Sequence, residues 1–435
     1  MKIGVFVPLY SPNMGGGFTV EQEMLTSLIQ LIPQSRHQFT LFLDKHSKSD
    51  AIVEMLFGKI KIVFLEETIQ ILDEEKTQIL QEEARILQEE AKRSEFILKR
   101  LIKKIGWNKK VYQEPPLPKA VYREVQHEVP LQEMLRRENI EFVWFPTPNY
   151  SSPIDVPYIA TIFDIQHRFQ PWFPEVGSLN EWDQRESYHS THLRRAAFVV
   201  VGTHEGGKEV GFFYQIPPER FRVLPPPVPC IDHLPSRSEV MDVLAKYGIS
   251  GNYLFYPAQF WTHKNHVNLL RALKSLRDKY GITMSLVFTG SDYGNCEYVK
   301  DMTDLLKLKD QVFFLGFVPR DDILALYSGA FALTYATYFG PDNIPPLEAF
   351  ACGCPVILSD VLGSEEQFGD AVLRVDPSSP DDIALAVEKV YSNSSLRDEL
   401  ISKGLVRSKK YTGLDYVLEI FKIMDEFENV RINWR

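Results

Sequence analysis

The sequence predicts an α/β protein of two doubly wound domains, with a long helical insertion in the first. Three observations predict it. Short apolar, β-branched runs alternate with helical patterns along nearly all of the 435 residues, the rhythm of strands covered by helices on both faces. A proline cluster, Pro225, Pro226, Pro227 and Pro229, splits that rhythm into two comparable series. One stretch, 66–105, has neither glycine nor proline and breaks the rhythm. The length also exceeds a usual single core.

The first series runs "KIGVFVPLY" (2–10), "QFTLFLD" (38–44), "IKIVFL" (60–65), "FVWFPTP" (142–148), "YIATIFD" (158–164), "AFVVVGT" (197–203) and "FRVLPPP" (221–227). Between these lie helix patterns such as "VEQEMLTSLIQLI" and "EWDQRESYHSTHLRRAA". Strand–helix–strand repetition implies a parallel sheet. Prolines cannot continue helix or ladder, so the cluster near 225–229 reads as a stiff linker. The second series follows: "NYLFYPAQ" (252–259), "SLVFTGS" (285–291), "QVFFLGF" (311–317), "GAFALTYA" (329–336), "PVILSD" (355–360) and "AVLRVDP" (371–377). The division predicted is 1–228, 229–412 and a closing helix within 413–435.

In the insertion, "ILQEEAR" is followed at once by "ILQEEAK". Leu80, Ala84, Leu87, Ala91, Ser94, Leu98, Leu101 and Ile105 fall on one helical face. The first half is acidic. The end is basic, with Lys92, Arg93, Lys99, Arg100, Lys103 and Lys104, then Trp107, Lys109 and Lys110. Three readings stand: a helix lying on an anionic membrane surface through 66–110, a coiled-coil partner, or an insertion packed on the first domain.

Composition removes other classes. A net charge of −10 argues against a nucleic-acid binder. Four cysteines, Cys230, Cys296, Cys352 and Cys354, cannot staple a chain of this size and suit a reducing compartment. The apolar run Ile3–Leu9 breaks at prolines and glycines and has no small-residue cleavage site, so a cytoplasmic protein is expected.

Four places carry chemistry. Gly15, Gly16 and Gly17 follow the first strand and precede a helix expected from Thr19 or Val20. Backbone amides there can approach a phosphate, though a plain flexible loop explains them equally well. Lys264 lies between a strand's C-terminal end and a helix starting near Asn265, where open α/β sheets bind ligands. His263 and His266 flank it without the thiol or carboxylate that would complete a metal set, so no metal is expected. Pro341, Pro345 and Pro346 shape a loop before "LEAFACG", which puts Glu348 in the first turn of a helix. A carboxylate there can accept ribose hydroxyls, or simply suit the helix dipole. Cys352 and Cys354 are too close for a paired zinc knuckle and read as packing. Asp164 and His167 follow a strand end; the plain alternative is an aspartate capping its own turn.

The order and spacing of "AQFWTHKNH", "FLGFVPRDDILALYSGA", "VVGTHEGGKEV" and "GPDNIPPLEAFACGCPVI" resemble the retaining glycosyltransferases of family four, group 1 type. The resemblance covers nearly the whole chain except 66–125. It implies the GT-B fold: two Rossmann-like domains facing a cleft, with the last helix crossing back to the first. It implies a nucleotide-diphosphate sugar as donor, GDP-mannose favoured, a glycan or lipid-linked acceptor, no cofactor and no metal. By resemblance Glu348 holds the ribose and Lys264 the diphosphate, with Asn343, Ile344 and Pro345 offering backbone groups. Gly290, Ser291, Phe317 and Val318 line the nucleotide pocket, and Gly16 and Gly17 face the diphosphate across the cleft. Asp164 and His167 fall near acceptor and sugar. Two positions depart from the pattern. Gln259 stands where the family has an arginine, and Gly340, or Thr337 with a gap, stands where it has a first glutamate, leaving Asp342 as the nearest carboxylate. Those departures motivate the alternative of a non-catalytic scaffold acting through 66–105. Peripheral attachment to the inner membrane face is the matching expectation for location.

Overall fold

The computed structural model describes residues 1–10, 15–43, 53, 56, 58–65, 67–68, 127–128, 131–148, 154–231, 233–340 and 342–434. The strands in chain order are β1 (Lys2–Val7), β2 (Gln38–Leu43), β3 (Lys61–Phe64), β4 (Glu67–Thr68), β5 (His127–Glu128), β6 (Phe142–Trp144), β7 (Tyr158–Thr161), β8 (Phe198–Val201) and β9 (Phe221–Val223). The second series is β10 (Tyr253–Pro257), β11 (Ser285–Thr289), β12 (Val312–Phe314), β13 (Ala332–Tyr335), β14 (Val356–Ser359) and β15 (Val372–Val375). Six helices matter below: α1 (Gly16–Leu31), α2 (His204–Tyr214), α3 (His266–Tyr280), α4 (Arg320–Gly329), α5 (Ile344–Ala351) and α6 (Gly413–Arg431).

One compact unit, Met1–Phe64 with Leu135–Arg435, holds two Rossmann-like domains. The first sheet has the order β3-β2-β1-β6-β7-β8-β9 and the second β12-β11-β10-β13-β14-β15. Every pairing in both is parallel. In each sheet the first strand of the series lies inside the order, so the chain winds out in both directions and leaves a switch point at the strands' C-terminal ends. Strands β7, β8, β13 and β14 are buried at every residue, which is why their sequences are continuously apolar rather than alternating.

Each predicted strand is present but shorter, and prolines account for several of the ends. β1 stops at Val7 because Pro8 has no N–H and Leu9 takes a left-handed φ of 51°. β9 stops ahead of Pro225 for the same reason. The proline cluster runs on as extended chain, tied by the Val228 N–H donating to the Tyr411 carbonyl at 3.0 Å.

The last helix, α6, begins with a capping box of Thr412 and Asp415. Its apolar face lies on the first sheet. Phe421 stacks on Phe39 at 5.3 Å and Phe427 on Phe142 at 4.4 Å. The chain thus crosses from the second sheet back to the first.

The second unit is Leu65–Met134. Most of the helix expected over 66–105, and the basic stretch to Lys110, lies outside the described residues. At Glu67 and Thr68 the expectation is corrected: they form β4, paired antiparallel with β5, and the ladder takes the backbone bonds a helix would have used. Among the described residues no helix is long and apolar enough to cross a membrane.

Candidate functional site

A cavity of about 1190 Å³ opens at the C-terminal ends of the second sheet and faces α1. The loop after β10 contributes Ala258 and Gln259, and the loop after β11 contributes Gly290 and Ser291. Phe317, Val318 and Arg320 come from the approach to α4, and Ile344, Pro345 and Glu348 from α5. Gly15 and Gly16 close it from the other domain.

Local packing explains the shape. Gly290 has φ 131°, and a Cβ there would sit 2.5 Å from the Ala258 carbonyl oxygen. Only glycine lets these two strand ends approach so closely. The Trp261 indole N–H donates to Gln259 Oε1 at 2.9 Å, while Trp261 stacks on Tyr293 at 4.2 Å. An indole can only donate, so the amide oxygen faces Trp261 and the NH₂ group turns towards Gly15. Helix α1 starts at Gly16, earlier than the Thr19 or Val20 expected, because the Thr19 N–H already bonds the Gly15 carbonyl at 3.2 Å. Gly16 approaches Ile344 so closely that a Cβ would lie 3.3 Å from Ile344 Cγ1. The N-termini of α1 and α5 therefore meet across the cavity, each bringing the positive end of a helix dipole; α1 offers the amides of its first turn, whereas in α5 Pro345 and Pro346 have no N–H and leave the Ile344 amide.

Glu348 lies one turn into α5, not in its first turn, with its side chain 9% exposed. Both carboxylate oxygens are held. Arg320 Nη1 donates to Oε1 at 2.9 Å and the Tyr327 hydroxyl donates to Oε2 at 2.9 Å. Burial keeps the Tyr327 phenol protonated, its pKa well above the ordinary value, and the Glu348 charge adds to that.

Other candidates are placed differently. Lys264 ends a short turn just before α3, as expected, but it is absent from the cavity wall. Its ammonium sits over the Tyr335 ring and donates to the Tyr335 hydroxyl at 3.2 Å. Gly17 packs on the Tyr10 ring. Asn343 is buried, and its amide braces the loop by donating to the Phe339 and Gly340 carbonyls.

The expectation that His167 reaches a sugar is corrected. Its side chain is 0% exposed. Nε2 lies 3.3 Å from Glu186 Oε2 and 3.2 Å from the Tyr214 hydroxyl, and the ring packs against Trp182 and His189. The short helix Gln166–Phe169 turns it inward, and burial lowers its pKa despite Glu186.

Asp164 does cap its own turn, accepting the Gln166 N–H at 2.9 Å, and it also accepts from Arg185 at 3.2 Å. Burial works against its charge, but Arg185 and the Gln166 amide outweigh it and hold the carboxyl below the usual range. Asp342 is its opposite. Its carboxylate presses on Gly202 of the first domain, where a Cβ would lie 2.0 Å from Oδ1. Burial, then the charges of Asp164 and Glu366, push Asp342 up to about 8. The seam continues with Glu366 accepting the His204 N–H at 2.8 Å and Glu175 accepting the His263 N–H at 2.7 Å. Burial lowers His263 to about 4, so a neutral ring faces an ionised Glu175.

Cys354 is buried and Cys352 half-buried; burial raises both thiols to about 12, as packing residues require. The fully buried His266 lies flat on Phe260 at 4.4 Å. Three ligand-type side chains do gather at His37, Asp425 and Glu428, but the Arg36 guanidinium binds both carboxylates, at 2.8 and 3.0 Å.

Sequence reasoning missed Arg320, Tyr327 and Glu175. The first two had a signal: positions 320, 324 and 327 share one face of a helix, so a guanidinium and a phenol stand together there.

Residues 245–407 match the family described as "Glycosyl transferases group 1". Over 183 residues the chain is 28% identical to O-antigen chain mannosyltransferase B of Escherichia coli, covering 42% of this chain and 48% of the relative. Over 139 residues it is 32% identical to O-antigen chain mannosyltransferase RfbU of Salmonella typhimurium, covering 32% and 38%. The chain thus spans half or less of the length of these curated relatives. Among solved structures, WaaG, a glycosyltransferase involved in lipopolysaccharide biosynthesis, superposes with a TM-score of 0.64 at 15% identity over 97% of this chain and 99% of that one. Anabaena HepE in complex with UDP gives 0.63 at 16% identity over 98% and 100%. These structural likenesses establish a shared fold.

Proposed function

We propose, for a chain whose residues 245–407 match the group 1 glycosyl transferases and which has the GT-B architecture, that it moves a hexose from a nucleotide-diphosphate sugar to a glycan or glycolipid acceptor with retention. One observation carries the reading. The positive ends of α1 and α5, with the amides of the first α1 turn and of Ile344, meet in the same cavity as a buried, oriented carboxylate, Glu348. Two helix N-termini suit a diphosphate, and a carboxylate suits the vicinal hydroxyls of a ribose. Mannose is the first sugar to test, because the relatives named above are mannosyltransferases. GDP-mannose is the first donor, and the UDP complex of HepE puts uridine donors on the same panel.

In this reading the bond from the anomeric carbon to the diphosphate oxygen breaks and an oxocarbenium-like centre forms. Negative charge grows on the departing phosphate, where the Gly16 and Ile344 amides and the Lys264 ammonium, once turned inward, stabilise it. The acceptor hydroxyl attacks from the same face, so no covalent carboxylate is needed. Asp164, kept ionised, takes the acceptor's proton, and Asp342, kept protonated, donates a hydrogen bond to the sugar. Two carboxyls pushed apart in this way suit those separate roles. No metal is needed where helix termini and cations carry the charge. Attachment to an anionic membrane through 66–110 belongs to the same proposal.

Transfer and hydrolysis are measured across GDP-, UDP- and ADP-linked hexoses, with and without EDTA. Turnover of at least one donor supports the enzyme. Binding without turnover under any acceptor favours the scaffold reading, and the absence of both removes the donor site.

A further inference from the structure

We infer that Arg320 is a positioning residue for the ribose: it fixes the Glu348 carboxylate, together with Tyr327, in the orientation that reads the sugar's vicinal hydroxyls. The inference rests on the nucleotide-sugar reading above and adds a residue that neither motif spacing nor the relatives assign.

The geometry is a three-part clamp drawn from two helices. Arg320 opens α4, Tyr327 lies two turns along the same face, and Glu348 approaches from α5. The guanidinium takes Oε1 and the phenol takes Oε2, each at 2.9 Å. A carboxylate has about four acceptor positions, so two remain once this pair is made. With both oxygens pinned, the remaining lone pairs have fixed directions, and a pair of adjacent hydroxyls is the ligand that matches two fixed acceptors.

Electrostatics points the same way. Only 9% of the Glu348 side chain is exposed, so its carboxylate needs a partner of opposite charge at contact distance. Arg320 supplies that partner at 2.9 Å. It is also, with Lys409, a cation of the cavity wall, whereas the Lys264 ammonium is turned onto Tyr335. The arginine side chain is 44% exposed at the cavity wall, so it holds Glu348 from the solvent side while Tyr327 holds it from the core. A guanidinium suits this task better than an ammonium because its planar fork fixes direction as well as charge.

The test compares binding of GDP with 2′,3′-dideoxy-GDP, and of UDP with its dideoxy form, to the full-length protein by calorimetry. Wild type, Arg320→Ala, Arg320→Lys and Tyr327→Phe are measured, each with a melting curve. Wild type is expected to prefer a ribonucleotide over its dideoxy form by about tenfold or more. Arg320→Ala should bring that ratio close to one while leaving dideoxynucleotide affinity within about twofold, with Arg320→Lys between the two. A merely structural role would weaken both nucleotides together and leave the ratio unchanged, which overturns the inference. An equal loss for both also overturns it, because it places Arg320 on the diphosphate or base. If wild type binds neither nucleotide, the donor-site reading itself falls.

Discussion

Two constellations in this molecule use the same side-chain types and come to different ends. In the second domain Glu348, Arg320 and Tyr327 form a carboxylate–guanidinium–phenol cluster on the wall of a cavity of about 1190 Å³. In the first domain Glu186, Arg168 and Tyr214 form the same trio around His167. The first leaves its arginine half-exposed beside empty space. The second surrounds a histidine with 0% exposure, packed between Trp182 and His189. Arg168 and Glu186 of that second trio keep 30% and 20% side-chain exposure, so what separates the two is the cavity beside Glu348 and the sealed histidine beside Glu186, not the burial of the carboxylate.

The comparison is broken most sharply by Glu348→Ala. It removes the ribose acceptors and leaves Arg320 and the buried Tyr327 hydroxyl without their shared partner, so kcat/KM should fall about 100-fold or more, with a stability loss of about 1–3 kcal/mol set by Tyr327, because Arg320 can turn to water. Steady-state kinetics with a melting curve checks both. His167→Ala should show the reverse: destabilisation on the order of 2–4 kcal/mol with kcat/KM changed by less than about threefold. A large activity loss at unchanged stability would return His167 to the site.

Asp342 provides the pH test. Its folded pKa, raised to about 8, stands above the unfolded carboxyl near 4, so the stability it lends is complete below about pH 4 and lost as pH rises through about 8. In Asp342→Asn that fall should disappear, and with it a limb of the kcat/KM profile near pH 8. A profile identical to wild type would remove Asp342 from both roles. Lys264→Ala, whose ammonium is already engaged by Tyr335, should raise donor KM by only about three- to tenfold, read from donor saturation curves. The smallest effect on catalysis is expected from reversing the charges at Lys99, Arg100, Lys103 and Lys104. Flotation with anionic vesicles should be lost while turnover of a soluble acceptor stays unchanged; retained flotation would refute the membrane reading.

Much of this was legible from sequence, for a physical reason. Strands buried on both faces must be continuously apolar, so β7, β8, β13 and β14 announced themselves. The proline cluster marked the crossover, while single prolines ended strands earlier than their apolar runs suggested, as Pro8 does after Val7. Glu348 stood out because strand ends and helix starts converge at the switch point of such sheets, whereas Gln259 and Gly290 came from the family resemblance. What escaped was side-chain direction. Nothing in "FDIQHRF" says that a four-residue helix, Gln166–Phe169, turns His167 inward, or that the Lys264 ammonium leans on Tyr335 rather than into the cavity. Nor could spacing reveal Arg320 on Glu348, since the partners come from separate helices.

The central claim is that donor nucleotide binds in the cavity between the starts of α1 and α5. A crystal structure with GDP or UDP bound tests it most directly. The account predicts ribose hydroxyls within hydrogen-bond distance of Glu348 and a diphosphate against the Gly16 and Ile344 amides at the starts of α1 and α5. A nucleotide seated elsewhere, with Glu348 touching only Arg320 and Tyr327, would contradict it.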